Sequence, residues 1–134
     1  MSYTYRRVIY LGDTDAAGVI YFAKLLAICH EAYEDWLTQA GINFGELVSN
    51  SSVAIPVVHA EIDFLRPIFC AEELLIQIMT EPMTRDSFSL NYEVFKNQEL
   101  VARAITKHVA IEAVTRRRTS LPSNIVECLK TKAQ

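Results

Sequence analysis

Asp13 and Asp15 stand in the segment Gly12-Asp-Thr-Asp-Ala-Ala-Gly18, directly ahead of a long apolar stretch. If that stretch is helical, the backbone N–H groups at its start have no partner within the helix. Such donors, with the positive end of the helix dipole behind them, can hold an oxyanion developing on a carbonyl. A carboxylate close by can attack that carbonyl or activate water to do so. A loop aspartate also has a plainer use, as a helix cap or turn former. At this level both readings stand for either residue.

The other reactive side chains are scattered. His30, His59 and His108 are isolated in sequence, and a lone histidine is ordinarily a hydrogen-bonded structural group. Glu31 and Glu34 read as solvated helix surface. Cys29, Cys70 and Cys128 show no C-x-x-C or Cys/His ligand spacing, so no metal site is expected and the thiols suit a reducing compartment. Arg116-Arg117-Arg118 is the only basic run. The planar guanidinium fork suits phosphate, although a short charge run is also ordinary surface.

The elements that must position these groups follow from periodicity. Tyr3 to Leu11 alternates and is rich in aromatic and β-branched residues, which predicts a strand. Phe22, Leu25, Leu26, Cys29, Tyr33, Trp36, Leu37 and Ala40 follow helical spacing, so a helix is predicted over 20–40, with Gly41 as its left-handed stop. Its first half carries one charge, Lys24, and is expected to be buried on most sides. From Val53 the period changes to two. Val58, Ala60, Ile62 and Phe64 share one face of a strand running to Leu65, opposite His59, Glu61 and Asp63. Further strands are predicted at Leu74 to Ile78, Phe88 to Val94 and Leu100 to Glu112, with a turn at Asn97-Gln98. Ala102, Ala104, Thr106 and Ala110 give the last strand a face of small residues, which suits close approach of a helix. A short helix is predicted over 123–130 after Pro122. Strand, long helix, then antiparallel strands make an α+β layout.

Composition bounds the rest. The chain has 134 residues, enough for one domain, read as 1–134. With 51% hydrophobic and 22% charged residues it is globular. A net charge of -3 argues against a general nucleic-acid binder. No apolar run approaches the ~18–20 residues of a membrane span. Met1 to Arg7 has no signal-peptide core, so a cytoplasmic protein is expected. An apolar share this large in so small a chain points to a buried subunit interface.

The order of elements and one motif together carry a resemblance. Gly12 to Phe22 follows the pattern Gly-Asp-x-Asp-x-x-Gly-(Ile/Val)-Val-(Tyr/Phe)-(Tyr/Phe) almost throughout, and Phe64-Leu65-Arg66-Pro67 matches a later strand end. The chain thus resembles the hotdog-fold acyl-CoA thioesterases, within them the 4-hydroxybenzoyl-CoA thioesterase family that uses a loop aspartate. Residues 25–34 are similar to its 1,4-dihydroxy-2-naphthoyl-CoA hydrolase branch. Two departures are Lys24-Leu25, where many relatives carry Asn-Tyr, and Asp86, where a basic residue often stands.

The resemblance implies a hotdog fold, with a curved antiparallel sheet wrapped around one long central helix. It implies hydrolysis of an aromatic acyl-CoA, with Asp15 as nucleophile or general base and the backbone N–H of Phe22 as the carbonyl-polarising donor. Asp13 then supports the loop. Gly18, Tyr21, Val58 and His59 would line the substrate, and Arg85, Ser87, Arg116, Arg117 and Arg118 would bind coenzyme A. No cofactor is implied, coenzyme A being part of the substrate and a product. The expected assembly is a homotetramer, a dimer of dimers paired edge to edge, with the site at the dimer interface. Alternatives are a 4-hydroxybenzoyl-CoA or short-chain acyl-CoA thioesterase, and a non-catalytic acyl-CoA-binding module, which an intact Asp15 argues against. A hotdog hydratase would need a histidine that this loop does not offer.

Overall fold

The computed structural model describes residues 3–50 and 52–132. In chain order it contains β1 (Tyr3–Val8), a 3-10 turn (Leu11–Asp13), α1 (Phe22–Gln39), α2 (Phe44–Asn50), β2 (Val53–Ala54) and β3 (Val57–Phe64). These are followed by β4 (Glu73–Thr80), β5 (Ser87–Lys96), β6 (Glu99–Val109), β7 (Ile111–Glu112) and α3 (Ser123–Lys132). Five strands form one sheet in the order β1-β4-β5-β6-β3, every pair antiparallel. β2 and β7 make a separate two-stranded ribbon.

The α1 stripe Leu25, Ile28, Cys29, Ala32, Tyr33, Trp36 and Leu37 is buried, the i, i+3, i+4 pattern of a helix on a flat partner. It shares one core with Ile76 and Ile78 of β4, Leu90 and Tyr92 of β5, and Ala102 and Ala104 of β6. The small residues of β6 thus lie inside, as their pattern predicts. Ile125 and Leu129 of α3 close the core. Gly41 ends α1 at φ +98°, a region that disfavours any Cβ. Asn97 and Gln98 turn the β5–β6 hairpin with φ 49° and 68°, the mirror-image turn that matches strand twist.

Four expectations are corrected. The helix starts at Phe22, two residues late, because Ile20 is taken into backbone pairing, donating its N–H to the Ile68 carbonyl at 2.8 Å. Its first half is not buried on most sides: Phe22 is 62% exposed, since one chain supplies only one sheet to lie on. The strand expected from Val53 breaks before Pro56 into β2 and β3, because proline gives no ladder donor. α2 was not foreseen, although Asn43 and Glu46 have capping spacing; the Asn43 Oδ1 accepts the Glu46 N–H at 3.0 Å.

One polar chain lies inside the core. The Tyr92 hydroxyl and Thr106 Oγ1 are 2.9 Å apart, and Thr106 Oγ1 lies 2.8 Å from His108 Nε2. The His108 ring stacks on Phe88 with centroids 4.6 Å apart and is fully buried. Its Nδ1 has no partner among the described residues. Burial, helped by the field of His30, pushes the imidazole pKa down from 6.5 to about 4. Between those two values the unfolded chain binds a proton that the folded chain does not, so stability falls as pH falls through that window. Thermal unfolding of the wild type should lose several degrees between about pH 7 and about pH 4.5. In His108→Gln the loss should shrink, and equal losses in the two proteins would assign it to other groups.

Candidate active site

The loop between β1 and α1 is anchored in the core by Ile9 and Ile20 and shaped between them by hydrogen bonds. The Asp15 N–H donates to the Val19 carbonyl at 2.9 Å, and the Gly18 N–H to the Asp15 carbonyl at 3.1 Å. Gly18 sits at φ +84°, which is why glycine stands there. Bridges Thr14↔Ile20 and Val19↔Phe69 fix the ends of the loop. The Asp15 Oδ1 accepts the Ala17 N–H at 2.8 Å, an Asx-type turn. That bond orients the carboxylate, and Asp15 itself is exposed.

Asp13 does a different job. Its carboxylate is buried and accepts the Tyr10 N–H at 2.8 Å and the Arg7 Nη1 at 2.6 Å. Its carbonyl accepts the Tyr21 N–H at 2.8 Å. The Arg7 hydrogen bond holds the Asp13 carboxyl below the usual carboxylate range, burial opposing. Tyr21 is the N-cap of α1 and gives no side-chain cap. The N–H groups of Phe22 and Ala23 have no acceptor among the described residues.

These groups open on one cleft of about 420 Å³, lined by Asp15, Val19, Ile20, Phe22, Phe64, Leu65, Arg66, Pro67 and Ile68. Its walls are apolar apart from Asp15 and Arg66. An aromatic acyl group fits such walls. Phe69, next to this wall, is exposed as well. Among the described residues no cluster of His, Cys, Asp and Glu could hold a metal ion.

The remaining expected residues gather elsewhere. The Arg85 Nη1 donates to Ser120 Oγ at 3.0 Å, and Asp86 lies 3.9 Å from Arg85 and 3.4 Å from Arg118. Desolvation is the largest single influence on the Asp86 carboxyl and raises it, but the Thr84 hydrogen bond, the hydrogen bond and charge of Arg118 and the charge of Arg85 together outweigh it and leave the group below the ordinary value. Arg116 and Arg117 are exposed on the same turn. Ser87 departs from expectation: it is buried, and its hydroxyl lies 2.7 Å from that of Thr84. Val58 and His59 are exposed on β3 but do not line the cleft. Tyr21 packs on Phe22, with ring centroids 4.9 Å apart. Glu31, read as solvated, is ion-paired with Arg7 at 3.1 Å, while Glu34 and His30 are exposed. Arg66 was visible only as part of a strand end, because its place in the cleft depends on the tertiary fold.

The arginine cluster and the cleft lie at opposite ends of β3. Val57 pairs with His108, two residues before Ala110, whose N–H donates to the Asp86 carbonyl. Phe64 pairs with Ala102 at the cleft end. Seven residue steps separate the two ends, roughly 23 Å of strand.

A loop carboxylate and the first residue of a long helix, sharing one apolar cleft on a helix-over-sheet frame, define a hotdog-fold thioesterase. Residues 9–129 match the thioesterase-like superfamily, and the chain belongs to it. It is 48% identical over 98% of its length to a 1,4-dihydroxy-2-naphthoyl-CoA hydrolase from Nostoc punctiforme, covering 88% of that protein. A hydrolase of the same name from Picosynechococcus is 50% identical over 91% of this chain and 88% of its own length. The structure of a 1,4-dihydroxy-2-naphthoyl-CoA thioesterase from Synechocystis superposes with a TM-score of 0.93 at 37% identity, covering 97% of this chain and 96% of that one.

The loop geometry gives a direct test. A Cβ on Gly18 would meet nothing within 4 Å, so Gly18→Ala carries only the backbone cost of its positive φ, about 1 kcal/mol. Gly12 has equally open space and no such φ, so Gly12→Ala should leave the melting temperature unchanged. Calorimetry of the pair should show a lower Tm for Gly18→Ala alone.

Proposed function

We propose that this chain hydrolyses 1,4-dihydroxy-2-naphthoyl-CoA to the free acid and coenzyme A, a step of phylloquinone (vitamin K1) or menaquinone biosynthesis. The observation that carries this reading is Asp15 sharing one cleft with the start of α1. The Phe22 N–H polarises the thioester carbonyl as its oxygen gains charge. Asp15 then acts in one of two ways. As nucleophile, its free oxygen attacks the carbonyl carbon, the thiolate of coenzyme A leaves, and water hydrolyses the resulting anhydride. As general base, it takes a proton from the attacking water. 4-Hydroxybenzoyl-CoA and short-chain acyl-CoA are the alternative substrates. The three free cysteines support a cytoplasmic enzyme, and no helix among the described residues is long and apolar enough to cross a membrane.

Two copies complete the site in this reading. The arginines sit at the far end of β3 from the cleft of their own chain, which favours their serving the cleft of a second copy. Antiparallel pairing of β3 with the β3 of a second copy brings the start of one strand beside the end of the other. Arg85 and Arg118 of one copy, with Val58 and His59, then approach the Asp15 cleft of its mate. The exposed apolar side chains Val57, Val58, Phe64 and Leu65 on and beside this edge support that pairing. Two such dimers make the proposed homotetramer.

Asp15→Asn should lower kcat for naphthoyl-CoA thioesters at least about 100-fold while coenzyme A still binds. Retention of near wild-type turnover would remove Asp15 from the chemistry. Replacing both Arg85 and Arg118 by Ala should raise KM for acyl-CoA but not for a thioester lacking the nucleotide. Mixing that double variant with Asp15→Asn, after subunit exchange, should restore tight, active sites; no gain on mixing would confine each site to one chain.

A further inference from the structure

We propose that Arg7 is a positioning residue for the hydrolysis, acting through Asp13 on both the Asp15 loop and the Phe22 N–H. This assignment rests on the thioesterase reading above. Arg7 is mostly buried and faces two carboxylates at once. Its Nη1 lies 2.6 Å from Asp13 Oδ2 and its Nε 3.1 Å from Glu31 Oε1. Its Nη2 reaches both residues, at 3.5 Å and 3.3 Å. A planar fork can span two carboxylates in this way, and an ammonium cannot.

Asp13 ties the two ends of the loop together. Its side chain is held by Arg7 and by the Tyr10 N–H, so the exit of β1 is tied down. Its carbonyl holds the N–H of Tyr21, the residue before Phe22. Asp15 follows two residues later. The ammonium of Lys24 is farther away, 3.8 Å from Asp13 Oδ1. Without Arg7 the buried Asp13 charge is left without its close partner. The loop must then open to hydrate it, carrying Asp15 and the N-cap away from their shared cleft. A displacement near 1 Å at reacting groups costs about 100-fold in rate. Glu31, which also accepts from the Tyr5 hydroxyl at 3.2 Å, braces the far side of the guanidinium from α1.

The test is steady-state kinetics of Arg7→Lys, Arg7→Met and Glu31→Gln on an aryl-CoA that the wild type hydrolyses, at temperatures where each variant is folded. Tyr92→Phe, which removes a core hydrogen bond between β5 and β6 that involves no loop residue, serves as a destabilised reference. Both Arg7 variants should lose about 10- to 100-fold in kcat with KM changed less than about threefold. Glu31→Gln leaves the Asp13 arm intact and should lose less than about threefold. Tyr92→Phe should lower Tm and keep kcat. The assignment is overturned if both Arg7 variants keep kcat within about twofold, or if cooling restores their kcat to that of the wild type. If Arg7→Met does not fold, Arg7→Lys, which keeps the charge, decides the matter. A wild type inactive on every aryl-CoA and every short-chain acyl-CoA sinks the thioesterase reading and this assignment with it; an active wild type matched by its Arg7 variants sinks this assignment alone.

Discussion

Helix α1 has a single sheet to lie on, and one sheet can cover only one face of a helix. The stripe from Leu25 to Leu37 is buried against β4, β5 and β6, and that burial organises the core. The opposite consequence is felt where the helix begins. Tyr21 and Phe22 are left exposed, and the N–H groups of Phe22 and Ala23, which a helix cannot satisfy from within, find no acceptor among the described residues. The same shortage of cover leaves β3 as an open edge. The cleft is therefore found where the chain runs out of material to bury itself, not where a cavity was carved from a complete core.

Two charge arrangements serve this frame, and their surroundings give them different strengths. Arg7 and Asp13 are shielded from solvent, so salt screens their attraction little. Removal of either partner is costly because the other charge stays buried. Arg85 and Arg118 lie in the open beside a partly covered Asp86, at separations of 3.9 Å and 3.4 Å, where an ion pair is worth little. The first arrangement suits a fixed support. In the proposed coenzyme A site the second suits side chains that exchange one anion for another, since little would be lost if Arg118 turned from Asp86 to a phosphate.

Periodicity made most of the frame legible in the sequence. Alternation in β4, β5 and β6 gave the faces correctly, and Gly41 and Asn97-Gln98 marked a helix end and a hairpin through their backbone preferences. The Gly12 to Phe22 motif located the loop, because tight turns and helix starts need particular residues at particular spacings. Other features were hidden, for identifiable reasons. The break at Pro56 was masked by apolar residues on both sides. The solvent exposure of β3 could not be read from its pattern, since alternation looks the same at an edge. The burial of Ser87 and the place of Arg66 in the cleft depend on chain crossings far apart in sequence. Arg7 pairs with partners 6 and 24 residues away, and no local rule links them.

The open edge of β3 has a consequence for how much protein is present. An edge with unpaired N–H and C=O groups, flanked by Val57, Val58, Phe64 and Leu65, is a binding partner in waiting. Where a second copy covers it, association is linked to folding by mass action, and dilution removes stability along with the partner. The melting point of such a chain is a property of its concentration as well as of its sequence. Under the proposed pairing, catalytic rate per chain would follow the same curve, because the copy sealing the edge would also carry the arginines.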